Sequence, residues 1–241
     1  MPSRGPTTFA VVVTNAFSFR WTVVSAIIYE RKKPDVKVRK TDVSREKRKY
    51  QKKRRAELEE QTRLRITESA VELHGTLGPS RTSISAVAQH AGVRRSTLYR
   101  HFPDETALFS ACSAHWAASN PPPDLAHWLA VTDPVRRLAM ALDEMYAHYR
   151  RTERMMDNIL RDEETMPIIK LMLRGYRDYL TAARDTLMVG RLGRGRARER
   201  MVAAIGHALA FTTWRSLTRE QGLDDVQAAD LMCRLVAAAS S

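Results

Sequence analysis

Hydrophobic residues recur every three to four positions over most of this sequence, which is the spacing that places them on one face of an α-helix. Ile66, Ala70 and Leu73 form the first clear stripe, over residues 62–74, and Gly75 ends it. The same helical spacing continues through the second half of the chain. The pattern therefore predicts an all-α protein.

A second and a third helix follow the first, and a tight turn separates them. The second helix would bury Ile84, Val87 and Ala88 on one face. Gly92 comes just after it and can adopt the left-handed backbone conformation that such a turn needs. The apolar residues that would pack the third helix are Val93, Leu98 and Phe102. Residues 83–102 are therefore predicted to form a helix-turn-helix.

The outward side of the third helix carries side chains that suit the major groove of DNA. They are Arg95, Ser96, Thr97, Tyr99, Arg100 and His101. Hydrogen-bond donors and small polar groups on such a helix can reach base edges there. The same pattern also fits a purely structural helical hairpin, because Leu98 and Phe102 would be buried in both cases.

The helix-turn-helix resembles that of the TetR/AcrR family of transcriptional regulators. The resemblance covers about residues 61–112 and is carried by Ile84, Val87-Ala88, Ala91-Gly92-Val93, Thr97-Leu98-Tyr99, His101-Phe102 and Leu108. It implies an N-terminal three-helix DNA-binding domain and a C-terminal helical domain that binds a ligand and dimerises. It also implies base-edge or phosphate contacts from Arg95, Ser96, Thr97, Tyr99 and His101, and phosphate contacts from Thr82 and Ser83.

Three residues depart from the pattern of that family. Arg94 stands where the family usually has a Ser or Thr that caps the recognition helix, and losing such a cap costs about 0.5–2 kcal/mol. Glu105 replaces a Lys that would contact phosphate, and His74 replaces a core aromatic residue. Arg94 and Arg100 are expected to compensate as further DNA contacts. Asp104 is expected to cap the helix that Glu105 begins.

The second half of the chain, residues 120–241, is predicted to be a separate helical domain that binds the effector and dimerises. The pair Asp133-Pro134 has the sequence of an N-cap followed by a proline in the first turn. Asp224 and Gln227 have the spacing of a capping box for the last helix.

Residues 201–214 contain no Asp, Glu, Lys or Arg, so a helix there would be apolar on every side. Such a helix has to be covered on more than one side, and a second subunit is a natural cover in a chain of this size. The family resemblance implies that the last two helices of each subunit form a four-helix dimer interface. The residues predicted at that interface are Ile205, Ala208, Leu209, Phe211, Leu231 and Leu235.

Methionine and aromatic residues are concentrated between the helix-turn-helix and the expected interface. Adaptable Met and amphipathic Tyr side chains suit a pocket for an apolar or cationic small molecule, and they suit an ordinary helical core equally well. The residues predicted to line a pocket are Trp116, Met145, Tyr149, Met156, Met172 and Tyr176. His148 and His207 are interpreted as core or interface residues, because neither has a second metal ligand three or four residues on.

The net charge of +13 comes almost entirely from residues 1–55. They carry 16 Lys and Arg against 4 Asp and Glu, whereas the rest of the chain carries 24 against 23. Three interpretations stay open. The segment is a disordered basic arm that adds salt-sensitive phosphate contacts, or it reflects a start assigned too early, or it holds a membrane anchor. The true start would be Val36, Val38 or Val43, and the anchor would be residues 9–28, where Arg20 is unfavourable.

The sequence as a whole predicts a homodimeric repressor that binds a double-stranded DNA operator through residues 56–119 and is released by a small-molecule effector. The alternative is a membrane-anchored or nucleoid-associated structural DNA-binding protein that uses the basic arm. An enzyme, a cofactor and a metal site are not expected, because no nucleophile-elbow, zinc-protease or P-loop motif occurs. Cys112 and Cys233 match no disulfide framework, so a cytoplasmic, nucleoid-associated protein without a membrane partner is expected.

Overall fold

The structure, a computed structural model, describes residues 40–240, with side chains from Val43 onward. Within this range the protein is helical and has no β-strand, which confirms the all-α prediction. The helices are α1 (Lys40–Thr76), α2 (Ile84–His90), α3 (Arg95–His101), α4 (Glu105–Ser119), α5 (Leu125–Leu129), α6 (Pro134–Asp162), α7 (Pro167–Met172), α8 (Arg174–Met188), α9 (Gly195–Ala208), α10 (Phe211–Arg215) and α11 (Asp225–Ala239). None of these helices is both long enough and apolar enough to cross a membrane.

The first helix is much longer than the stripe that predicts it. It begins at Lys40, so residues 40–55 are helical, although the basic arm was expected to be disordered. The physical reason is local. No Gly or Pro occurs between Pro34 and Gly75, and the stretch is rich in Lys, Arg and Glu, which are good helix formers. The expectations for residues 1–39 lie outside the described part of the chain.

The N-terminal half of α1 is exposed over residues 43–61. Two ion pairs one helical turn apart support it: Lys53–Glu57 at 3.9 Å and Arg55–Glu59 at 3.1 Å. Exposed pairs of this kind contribute only a few tenths of a kcal/mol each. Of the described residues, 49–240 belong to one compact unit, and 40–48 are helical and belong to a second unit.

The helix-turn-helix has a small hydrophobic core of its own. Its buried members are Ile66, Ala70, Val87, Ala88, Ala91, Leu98, Phe102, Leu108 and Cys112. Gly92 lies in the turn between α2 and α3 with φ +63°, as its position in the sequence predicts. The core fixes α3 through Leu98, which is completely buried, and leaves the other side of α3 free.

A second and larger core is built around α6. Asp133 begins that helix as predicted, because its carboxylate accepts a hydrogen bond from the Val135 amide at 2.9 Å. The predicted capping box of Asp224 and Gln227 begins α11. The large side chains that are fully buried in this core include Trp128, Leu142, Tyr146, Tyr149, Leu187, Ile205 and Trp214.

The predicted continuous helix over residues 201–214 is interrupted. α9 ends at Ala208, and α10 begins three residues later. Two tyrosines of α6 stabilise this break, because the hydroxyl of Tyr146 donates to the Ala208 carbonyl at 3.0 Å and that of Tyr149 donates to the Leu209 carbonyl at 2.5 Å. These carbonyls lie at a helix end and would otherwise be buried without a partner.

Candidate functional sites

The polar side of α3 is open to solvent. Its exposed residues are Arg94, Arg95, Ser96, Tyr99 and Arg100. The guanidinium carbon of Arg95 lies 6.0 Å from the centre of the Tyr99 ring, so the two largest side chains near the start of this surface stand side by side. Ser83 is also exposed, and its hydroxyl caps α2 by accepting a hydrogen bond from the Ala86 amide at 3.1 Å.

The other three predicted DNA contacts are half-buried: Thr82, Thr97 and His101. The hydroxyl of Thr82 donates to the Gly78 carbonyl at 2.8 Å, which holds it inside the structure. Nε2 of His101 is enclosed and has no hydrogen-bond partner among the described residues. Burial, together with nearby guanidinium groups, lowers the pKa of His101. Thr82 and His101 are therefore less available to DNA than the exposed residues of α3.

Arg63 of α1 positions the end of α3, and the sequence analysis assigned it no role. Its Nη1 donates to the His101 carbonyl at 2.9 Å, and its guanidinium lies 4.4 Å from the centre of the Phe102 ring. An Arg that binds a terminal carbonyl stabilises the C-terminal end of a helix. A sign of this role in the sequence was the position of Arg63, three residues before the buried Ile66.

Two of the departures from the family pattern have visible structural effects. Arg94 is the N-cap of α3 but makes no capping hydrogen bond through its side chain. Asp104 caps α4 as expected, since its carboxylate accepts a hydrogen bond from the Ala107 amide at 2.7 Å. Glu105 is exposed in the first turn of α4, where the positive end of the helix dipole favours a carboxylate.

A cavity of about 340 Å³ lies between α1 and α4 on one side and α6, α7 and α8 on the other. Four of the predicted pocket residues line it: Trp116, Met156, Met172 and Tyr176. Met145 and Tyr149 do not line it and are buried in the core instead. Their polar atoms have neighbours there, because the sulfur of Met145 lies 3.5 Å from the Tyr179 hydroxyl and the Tyr149 hydroxyl lies 3.1 Å from that of Tyr176.

The cavity wall also contains His74, Cys112 and His148, which the sequence analysis did not assign to a pocket. Burial lowers the pKa of His74 to about 4, although the charge of Asp162 opposes the shift. Burial and, to a lesser extent, Arg151 lower the pKa of His148. Burial raises the pKa of the Cys112 thiol to about 11. All three side chains are therefore uncharged at neutral pH. Across residues 40–240, no three His, Cys, Asp or Glu side chains cluster as a metal site would require.

We expect His74→Phe to make the protein less sensitive to acid. The pKa of His74 is about 4 in the folded protein against 6.5 in the unfolded chain, so the unfolded chain binds the proton more readily. Stability present above pH 6.5 is therefore lost as the pH falls towards 4. Between about pH 7.5 and pH 5, wild type should lose about 2 kcal/mol more than the variant. Urea unfolding at both pH values measures this difference.

The substitution suits the site, because the His74 ring already stacks on Phe109 with 4.8 Å between ring centres. His127→Phe, the same substitution at an exposed position, is the control. A His74→Phe protein that loses stability with acid as steeply as wild type would contradict the expectation.

The C-terminal end of α6 binds the chain that connects α1 to α2. Nδ2 of Asn158 donates to the carbonyls of His74 and Gly75, at 3.0 Å and 2.9 Å. The Asp162 carboxylate accepts from the Ser80 amide at 2.9 Å. We call Asn158, Arg161 and Asp162 the α6 clamp. It joins the wall of the cavity to the segment just before the helix-turn-helix.

Arg161 connects the members of the α6 clamp. Its guanidinium donates to the side chains of Asn158 at 2.8 Å and Asp162 at 2.9 Å, and also to the Leu77 carbonyl at 3.3 Å. Burial alone would raise the pKa of Asp162, but hydrogen bonds from Arg161 and Ser80 outweigh it and lower that pKa. The carboxylate is therefore ionised at neutral pH, and its hydrogen bonds are of the stronger, charge-assisted kind.

Four of the six residues predicted at a dimer interface are buried within a single chain. Ile205, Ala208, Leu209 and Phe211 are each no more than 3% exposed. These four residues have little surface left for a partner, because the same chain already covers them: α8 and α11 pack against α9, and α6 packs against α10. Leu231 and Leu235 of α11 are 42% and 41% exposed.

Residues 66–112 match the family model of bacterial regulatory proteins of the tetR family. Three similar crystal structures are a Mesorhizobium loti protein described as a TetR-family transcriptional regulator (15% identity, TM-score 0.54), a TetR-like transcriptional regulator from Rhodococcus sp. RHA1 (16%, 0.53) and a tetR-family transcriptional regulator from Streptomyces coelicolor (17%, 0.50). The alignments cover 75%, 73% and 75% of this chain and 96%, 93% and 79% of those chains. At these identities the likeness is one of fold. No protein of curated function matches the sequence.

Proposed function

We propose that the chain is a TetR-family regulator and a sequence-specific DNA-binding repressor, since residues 66–112 match the model of that family. It acts as a homodimer and leaves its operator when a small molecule fills the cavity. Residues 56–119 form the DNA-binding domain and residues 120–241 the effector-binding and dimerisation domain. The observation that carries the proposal is the exposed side of α3, held on a buried core, with Arg95 and Tyr99 side by side.

The polar residues of α3 would have three roles. Arg95 and Tyr99 are long and exposed and would contact base edges, while exposed Ser96 and half-buried Thr97 lie in the first turn, where short side chains bring the helix close to the groove. Arg94 and Arg100 would bind phosphates on either side. Arg63 supports this surface from behind by fixing the end of α3.

The basic half of α1 supports a second, sequence-independent contribution to DNA binding. Lys49, Lys52, Lys53, Arg54 and Arg55 are exposed within one stretch of seven residues. The helix reaches the end of α3 at Arg63, about two turns further on. These charges would therefore lie near the DNA that α3 reads, where neutralising phosphates releases counterions and makes affinity depend on salt.

The expected result for α3 is a loss of specific binding. Arg95→Ala and Tyr99→Ala should each weaken binding to the operator by about 1–3 kcal/mol, which is roughly 5–150-fold, and should affect unrelated DNA much less. The operator is found by footprinting the DNA that flanks the gene. Affinity is then measured by fluorescence anisotropy on operator and unrelated duplexes over a range of salt concentrations.

Lys52→Ala is the matched control for these variants. It should weaken binding to all sequences alike and lower the slope of log affinity against log salt by about one. Operator affinity that stays unchanged in both α3 variants, with a normal circular dichroism spectrum, would remove α3 as the recognition helix. An equal loss on every DNA sequence would instead favour a nucleoid-type structural protein.

Ligand release would act through the α6 clamp. A ligand in the cavity presses on α6, whose clamp residues bind the backbone of residues 74–80 just before the helix-turn-helix. The ligand favours a conformation in which the two recognition helices of the dimer no longer stand one DNA turn, ~34 Å, apart. Dimerisation would use the exposed side of α11, at Leu231 and Leu235.

A further inference from the structure

The cavity between α1, α4, α6, α7 and α8 has a wall without charge. Of the described residues that line it, none is Asp, Glu, Lys or Arg. His74 and His148 are neutral because burial lowers the pKa of each of them. A charged ligand would lose its hydration here and find no counter-charge, which is strongly unfavourable. The wall therefore selects against both cations and anions.

The wall is suited to a flat, polarisable compound. Phe109, Trp116 and Tyr176 line the cavity, and so do Met155, Met156 and Met172. Aromatic rings pack well against other rings, and thioethers adjust their shape and make favourable contacts with ring edges. The volume of about 340 Å³ is at the small end of the range for ligand sites, which suits a molecule of one or two rings.

One polar group of the wall lacks a partner. The His148 side chain is 6% exposed, and its imidazole makes no hydrogen bond with any described residue. Nδ1 is the enclosed atom without a partner, and Nε2 forms no hydrogen bond with the described residues either, so we take Nε2 as the nitrogen that a ligand in the cavity could reach. A buried polar group without a partner is costly, which is why nearly all of them are satisfied. The two tyrosines of the wall do have partners: the hydroxyl of Tyr179 donates to the Pro123 carbonyl at 2.9 Å, and that of Tyr176 pairs with Tyr149.

No hydrogen bond within the described chain fixes which nitrogen of His148 carries the proton. Neutral imidazole has one donor and one acceptor, and the protein leaves both arrangements open. A hydroxyl group can donate to Nε2 or accept from it, whereas a carbonyl can only accept, and an alkyl amine is protonated and therefore charged at neutral pH. Among simple uncharged groups, a hydroxyl is therefore the best complement.

We propose that the cavity binds an uncharged, largely apolar ring compound with a single hydroxyl group, and that this hydroxyl forms a hydrogen bond with Nε2 of His148. The inference rests on the proposed function, because it takes the cavity as the effector site. It adds the chemical class of the effector and the residue that recognises its polar group.

Four compounds that share one ring system test the proposal: 1-naphthol, naphthalene, 1-naphthoate and 1-naphthylmethylammonium. Each is titrated into the full chain at neutral pH without DNA, and calorimetry gives the dissociation constant. Naphthol should bind about tenfold more tightly than naphthalene, because it satisfies His148. Both ions should bind at least about a hundredfold more weakly than naphthol.

His148→Phe should remove the preference for naphthol over naphthalene while leaving naphthalene affinity within about twofold. His148→Gln, which keeps a hydrogen-bonding group, should retain part of the preference, and His127→Phe at an exposed site should retain all of it. Thermal unfolding by circular dichroism shows that each variant is folded. If His148→Phe does not fold, the preference measured with His148→Gln decides: a partial preference supports the proposal, and a full one overturns it.

The proposal would be overturned if either ion bound most tightly of the four compounds, or if none of the four bound. It would also be overturned if His148→Phe kept the preference for naphthol over naphthalene. The proposed function is tested separately, in an operator shift assay with the same four compounds. Naphthol that binds without releasing DNA would contradict ligand release and leave the chemistry of the cavity intact. Release by one of the ions would support a ligand-released repressor and overturn the inference about its ligand.

Discussion

Leu231→Glu and Leu235→Glu should each convert the proposed dimer into a monomer and lower operator affinity by about a thousandfold or more. The two leucines are exposed on the same side of α11 in the single chain, so a partner subunit is what would bury them. A carboxylate placed there would be desolvated without a counter-charge, which costs several kcal/mol. One helix-turn-helix reads only half of a two-fold site, so a monomer loses most of the specific binding free energy.

Analytical ultracentrifugation of wild type and variants, followed by an operator shift assay, measures both effects. Val226→Glu is the matched control, because Val226 is 73% exposed on the same helix but lies about 140° around the axis from Leu231. It should stay dimeric and bind normally. Glutamate variants that remain dimers would exclude this side of α11 as the interface. A wild-type monomer at micromolar concentration that binds a half-site tightly would exclude the dimer altogether.

The revised interface illustrates a limit of sequence patterns. The apolar run over residues 201–214 indicates a stretch that is covered on several sides, but composition does not tell which chain supplies the cover, nor that the helix is interrupted after Ala208. In the structure the cover is internal, and the Tyr146 and Tyr149 hydroxyls even bind the carbonyls where α9 ends. Both tyrosines are more than fifty residues earlier in the chain. Contacts at such separation depend on the whole packing arrangement and leave no periodic signal.

Features set by neighbouring residues were predicted well. The N-cap at Asp133, the capping box at Asp224 and the left-handed turn at Gly92 each depend on a few adjacent positions, and all three occur as expected. The exposed side of α3 follows from helical spacing once Leu98 is known to be buried. By contrast, the length of α1 was underestimated, because its first half is stabilised by helix propensity and not by an apolar stripe.

The pocket prediction lies between these two cases. Met and aromatic residues do surround a cavity, but the sequence pattern does not separate the residues of its wall from those of the core. Met145 and Tyr149 belong to the same domain as Met156 and Tyr176, but they contact groups in the core and do not line the cavity. His148 gave the weakest signal in the sequence, since a lone histidine on an apolar helix face is usually a core residue. Its significance emerges only when the surrounding hydrogen bonds are counted.

Gly78→Ala should destabilise the protein by about 3–5 kcal/mol because it disrupts the α6 clamp. Gly78 has φ +97° and ψ 154°, a conformation that costs a residue with a side chain about 1–3 kcal/mol. A Cβ atom there would lie 2.7 Å from Oδ2 of Asp162 and closer still to Nη2 of Arg161. These groups must move apart, and losing hydrogen bonds to charged partners costs about 1.5–3 kcal/mol more.

Gly92→Ala separates backbone strain from the loss of the clamp. Gly92 has φ +63°, and no described atom lies within 4 Å of the position where its Cβ would be. Its replacement should cost about 1–2 kcal/mol through strain alone. Urea unfolding of both variants gives the two values. Equal losses of unfolding free energy in the two variants would mean that the α6 clamp adds nothing to stability beyond what the backbone conformation of the glycine contributes. A larger loss for Gly78→Ala would show that α6, the helix that borders the cavity, also holds in place the segment from which the helix-turn-helix begins.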